Sequence, residues 1–100
     1  MSPVQRRFRN VINRVGEAFT VSGNARQGIF SILSPYAAEQ YIDATTLAAV
    51  GRPMRAVYVP FDDVTATGNS VSYAGLTLTV EQALDLRHQG EAVARLLILA

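Results

Sequence analysis

The chain has 100 residues, a formal net charge of +1, 49% hydrophobic and 17% charged residues, and no cysteine. That length holds one domain with one core, and the composition is globular rather than disordered. The missing cysteine excludes a disulfide framework, a thiolate metal site and a cysteine nucleophile, and the near-neutral balance makes no whole-chain case for a nucleic-acid or membrane partner.

The first element reads as a helix over residues 3–15. Ser2 is a good N-cap and Pro3 suits the first helical position. Val4, Phe8, Val11, Ile12 and Val15 recur at helical spacing and define an apolar face, and Gly16 is the stop. Arg6, Arg7, Arg9 and Arg14 fall on the other side, before any acidic residue. All nine basic residues of the chain are arginine. A GC-rich coding sequence accounts for that more readily than selection for guanidinium chemistry does.

Two short strands follow. Residues 18–21 place Phe19 and Val21 on one side, Ser22-Gly23-Asn24 is a turn signal, and residues 27–33 are apolar on both faces. The pattern then breaks. Ser34-Pro35 repeats the cap-then-proline grammar over a short piece from Tyr36 to Tyr41, and Asp43 caps a second piece, residues 44–50, that stops at Gly51 and Pro53. Residues 34–53 therefore read as a long, partly helical excursion between strands.

Strands return with residues 55–59, rich in β-branched and aromatic side chains and ending at Pro60. Residues 62–69 read as a loop. Val71 and Tyr73 alternate with Ser70 and Ser72, and Ala74-Gly75 turns the chain. Leu76, Leu78, Val80, Leu84 and Leu86 then share one parity, broken only by Gln82, which predicts a bulge there or a buried, hydrogen-bonded amide. After a turn at Gln89-Gly90-Glu91, residues 92–99 are apolar on both faces, as in a strand that is central or lies at an interface. A long free apolar edge invites aggregation. The expected fold is therefore mainly β: a five- to six-stranded antiparallel barrel-like domain, residues 17–100, behind an N-terminal helix, residues 1–16. Its last strand is covered by barrel closure or by other subunits.

Little points to catalysis. His88 is the sole histidine and stands beside the predicted turn, where a solvated surface role is the ordinary one. No serine lies in a Gly-x-Ser-x-Gly setting, and no phosphate-cradling glycine motif is present. Asp62-Asp63 is the obvious carboxylate pair for a divalent cation, but consecutive residues on an extended chain point apart, and aspartate is a common turn residue. No cofactor and no metal are expected. The arginine helix is the best candidate for polyanion contact; the alternative is a solvated face, or one paired with acidic groups of a protein partner. No aromatic ladder interleaved with basic residues supports single-strand binding. Tyr58 and Tyr73, in strands, are expected to be partly structural, and Tyr36 and Tyr41 are the better interface candidates. With no early apolar run of signal-peptide type and no membrane-length apolar run, a soluble protein made in the cytoplasm is the default expectation.

The segment GNSVSYAGLTLTVEQALDLRHQGEAVARLLILA, residues 68–100, resembles the closing third of the small head–tail connector proteins of long-tailed bacteriophages, the stopper or head-completion type. In that family a short strand meets a turn and a long alternating strand with a Val-x-x-Ala step. A glycine-containing turn follows, then a closing strand of the pattern hhRLhLh, where h is apolar; here that strand is Val93-Ala94-Arg95-Leu96-Leu97-Ile98-Leu99. Residues 1–67 fit more loosely, and many family members begin directly with a strand where this chain begins with a helix. The resemblance implies a structural virion protein, not an enzyme, that forms a ring of six or twelve copies. Such a ring docks under portal and adaptor proteins, meets a tail terminator or tail tube below, and closes the DNA exit channel. It also implies that Arg6, Arg7, Arg9 and Arg14 face an adaptor or packaged DNA, and that Tyr36 and Tyr41 in one loop and Asp62 and Asp63 in another make contacts. A tail-terminator ring and a small β-barrel nucleic-acid-binding module are the competing readings.

Overall fold

The structure is a computed structural model that describes residues 1–32 and 54–100. The expected excursion over residues 34–53, with Tyr36 and Tyr41, lies outside the described residues. Helix α1 spans Pro3–Val15, and six strands follow: β1 Glu17–Val21, β2 Asn24–Ile32, β3 Arg55–Pro60, β4 Ser70–Tyr73, β5 Leu76–His88 and β6 Glu91–Leu99. They form a closed antiparallel barrel in the order β1-β2-β3-β6-β5-β4. Closure rests on a short β1–β4 ladder, in which Thr20 pairs with Ser72 and Val21 with Val71.

Tight hairpins set the registers. Ser22-Gly23, Ala74-Gly75 and Gln89-Gly90 all have positive φ at both residues, which is what a two-residue turn of the right-twisting kind requires. The first of these turns is shorter than the expected Ser22-Gly23-Asn24, so β2 starts at Asn24 instead of Gln27.

All six strands contribute to the barrel interior. Its buried core includes Phe19, Val57, Val71, Leu78, Val80 and Leu97, with Phe30 and Tyr73 packed against it. Phe30 is the hinge of an aromatic cluster. It meets Phe19 edge-on at 5.3 Å and stacks on Tyr73 at 3.7 Å between ring centroids. At Gly28 the wall has no room for a side chain: a Cβ would lie 2.4 Å from Val57 Cγ2 and 2.9 Å from the Tyr58 carbonyl oxygen.

The apolar closing strand is now explained. β6 pairs with β3 on one side and with β5 on the other, and Ala100 continues the ladder by exchanging hydrogen bonds with Thr79. It is also buried on both faces. Leu97 and Leu99 enter the barrel core, while Leu96 and Ile98 join Met54, Ala56 and Ala100 in a second apolar cluster outside it.

β5 corrects one expectation. Val80 pairs with Leu99 and Gln82 with Ile98, so Glu81 is the extra residue of a bulge. One inserted residue exchanges the two faces of everything beyond it. Ala83 therefore packs with the barrel core, and Leu84 and Leu86 join the outer cluster instead of continuing the Leu76-Leu78-Val80 face. The bulge at Gln82 was legible; the parity change beyond it was not. Of the two alternatives the sequence offered at Gln82 the bulge is the one formed; the Gln82 side-chain oxygen is buried with no hydrogen-bond partner among the described residues.

Candidate interaction surface

The surface that distinguishes this barrel is built around α1. The helix starts with a reciprocal cap: the Gln5 N–H donates to Ser2 Oγ at 3.2 Å, and the Ser2 N–H donates to Gln5 Oε1 at 3.0 Å. Gln5 Nε2 then donates to the Ala92 carbonyl of β6 at 2.8 Å, and Ser2 Oγ donates to the Glu91 carboxylate. The cap that starts the helix thus also pins it to the first residues of β6.

A second anchor lies a turn further on. Arg9 forms an ion pair with Asp62 and lies over the Phe61 ring, 5.6 Å from its centroid. Ile12, 1% exposed, is the only helix residue that is buried. The docked face is therefore Gln5, Arg9 and Ile12, spaced i, i+4, i+7.

That face differs from the expected one. Of the expected apolar face Val4, Phe8, Val11, Ile12 and Val15, Ile12 is buried and Val4 and Val11 are half-buried, while Phe8 and Val15 lie toward solvent. Phe8 is 42% and Val15 56% exposed. Two polar anchors, Gln5 to β6 and Arg9 to Asp62, flank Ile12 and extend the docked side beyond the apolar face. The expected grouping of four arginines separates for the same reason: Arg9 faces the barrel, while Arg6, Arg7 and Arg14 stay exposed. These three line a shallow outer concavity with Pro3, Asn10 and Val11.

Asp62 and Asp63 point to different partners, as consecutive residues should. Asp62 takes Arg9. Asp63, its side chain 3% exposed, lies 3.4 Å from Arg26 Nε. Its other carboxylate oxygen accepts the Thr65 N–H at 2.8 Å, and its backbone carbonyl accepts from Arg95. Arg95 reaches Asp85 at 3.3 Å as well. Asp63 therefore organises the loop between β3 and β4. An open groove of about 550 Å3 runs between this loop, the Arg9–Asn13 side of α1 and the β1–β2 hairpin, with Arg26 and Val64 on its walls.

On the opposite flank of α1 lies a smaller seam of about 230 Å3, lined by Phe8, Val11, Ile12, Ile29, Tyr58 and Arg7. Ile29 and Tyr58 are register partners on β2 and β3. Tyr58, 38% exposed, thus contributes to an open surface. Tyr73 is the structural one: besides stacking on Phe30, it donates its hydroxyl to Glu17. That bond, then partial burial and the Glu17 charge, raise the Tyr73 pKa above 10, opposed by Arg55. His88 ends β5 beside the turn, exposed.

Reading the residues one element at a time missed Arg26, Arg95, Ile29 and Val64, because their roles arise from neighbours distant in sequence. One signal was available: Gln5 stands three residues after Ser2, the spacing of a capping box, and it marks the side on which the helix docks. Among the described residues no helix is long and apolar enough to cross a membrane. Comparison of the chain with protein-family models, with curated proteins and with solved structures gives no match.

Proposed function

We propose that this chain is a structural virion component that joins a phage head to its tail, assembling as a ring that closes the DNA exit channel. The observation that carries the reading is the helix on its closed barrel. Gln5, Arg9 and Ile12 dock the helix, yet α1 still leaves Phe8, Val15 and three arginines exposed. A surface of that kind is suited to contact with other chains. The closed barrel with its doubly paired last strand is also the architecture that the resemblance of residues 68–100 implies. In this reading the partners are portal or adaptor proteins on one side and tail proteins on the other. The chain works by shape and assembly.

The test is location. Particles carrying an epitope-tagged copy of the chain are labelled with gold and imaged. Label confined to the head–tail junction is the expected result, and label on capsid faces, tail tips or no particle at all overturns the proposal.

One observation favours a second reading, a small barrel that binds nucleic acid: Arg6, Arg7 and Arg14 have no acidic partner among the described residues. Three phosphate contacts would make log K fall with log salt at a slope of about −3. A salt-independent interaction, or none, removes this reading.

A further inference from the structure

We infer that copies of this chain bind one another head to tail, the Val64 loop of one copy entering the α1–barrel seam of the next. The inference rests on the ring reading and supplies its contact.

Val64 is 80% exposed, the most exposed large hydrophobic residue described. Its position is not free to drift. Asp63 beside it is held by Arg26, and the Asp63 carbonyl is held by Arg95. Thr65 on its other side is 2% exposed and donates its N–H to Asp63. A rigid loop therefore presents a branched apolar side chain to solvent, and little ordering entropy is lost when that side chain is buried.

The seam is its complement. It exposes apolar surface from Phe8, Val11, Ile29 and Tyr58 and has a volume of about 230 Å3, room enough for a valine side chain. Charge complements shape. Arg7 forms one wall of the seam, and Asp62, its side chain 54% exposed, stands two residues before Val64. Asp62 already pairs with Arg9, but a carboxylate has lone pairs enough for a second guanidinium.

The two surfaces lie on different sides of α1. Val64 shares the groove with Arg9 and Asn13, and the seam lies along Phe8 and Val11. A surface that binds a different surface of an identical copy makes a heterologous contact, which propagates into a ring when the rotation closes. This favours a second copy as occupant over an unrelated apolar ligand: the chain itself carries both halves of the fit, with charges of opposite sign.

The chain has no cysteine, so engineered thiols report without background. Val64→Cys and Phe8→Cys proteins, each unfolding at the parent's midpoint, are mixed in equal amounts at the highest soluble concentration and treated with a short bis-maleimide. If the contact forms, the V64C–F8C dimer exceeds its random share, half of all dimers, and exceeds the yield of V64C with an exposed Ser72→Cys control. Val64→Asp removes any concentration-dependent rise in sedimentation coefficient without shifting the unfolding midpoint. Random dimer proportions, a dominant V64C–V64C product, or no dimer overturns the contact. That outcome leaves the ring reading standing if gold still marks the junction, whereas specific cross-linking of a chain found elsewhere in the particle sinks the function and keeps the contact.

Discussion

Gly28 is the sharpest test of barrel closure. It lies in β2 opposite Glu17 of β1, where the first three strands come together. Elsewhere in a strand, glycine to alanine stabilises by about 0.4–1 kcal/mol, because alanine restricts the unfolded chain. Here the added methyl would fall 2.4 Å from Val57 Cγ2, 2.9 Å from the Tyr58 carbonyl oxygen and 3.2 Å from Phe19 Cε1. Val57 is fully buried and can rotate only into occupied space, and the Tyr58 oxygen belongs to the backbone. Overpacking of this kind costs about 1–3 kcal/mol. The steric term is the larger, so Gly28→Ala should destabilise by about 1–2 kcal/mol net, and each kcal/mol lowers Tm by about 4–8 °C in a domain of this size. Urea unfolding followed by circular dichroism, with the slope m held equal to the parent's, reads the change directly. An unchanged or raised midpoint would refute the close approach of β2 and β3 on which the closed wall depends.

Other substitutions probe the surface and its supports. Gln82→Met replaces an amide whose buried oxygen has no partner among the described residues and should stabilise by about 1 kcal/mol in the same urea assay; a loss of stability would mean that the amide is satisfied. Asp63→Ala should cost about 2 kcal/mol, because it removes a buried acceptor from Thr65 and the partner of Arg26, whereas Asp62→Ala, at a half-exposed ion pair, should cost under about 1 kcal/mol. Equal costs would contradict the division of labour between the two aspartates. Tyr73 has a folded-state pKa above 10, so its contribution is full below that value and is lost as pH rises through the folded value. The parent should therefore lose stability between about pH 8 and about pH 11 by more than Tyr73→Phe does; parallel profiles would contradict the Tyr73–Glu17 bond. Leu97→Ala, in the centre of the barrel core, should cost about 2–5 kcal/mol by thermal unfolding.

Much of the fold was legible because most of its determinants are local. Ser2-Pro3 opened the helix, glycine followed the left-handed residue in three hairpins, and the double-faced apolarity of residues 92–99 announced a strand covered on both sides. The roll of α1 was legible in part: Ile12 of the expected apolar face is buried, but the polar anchors Gln5 to Ala92 and Arg9 to Asp62 extend the docked side beyond that face, which a helical wheel that ranks apolar residues first does not show. Leu84 and Leu86 were assigned to the wrong face because alternation is counted along the chain, and the single residue Glu81 reset the count. The surface was legible only in part. Arg6, Arg7, Arg9 and Arg14 stood out as a cluster, from which Arg9 turns to the barrel, but the apolar seam joins residues 8 and 11 to residues 29 and 58, and only the closed barrel places these together.

The proposed role requires that this gene lie in a phage genome, and the measurement that bears on it most directly is disruption of the gene there, with the lysate viewed by electron microscopy. The account predicts free tails beside tailless heads that have lost their DNA, and tailed particles restored by the gene in trans. Intact, infectious tailed particles from the disrupted genome would contradict it.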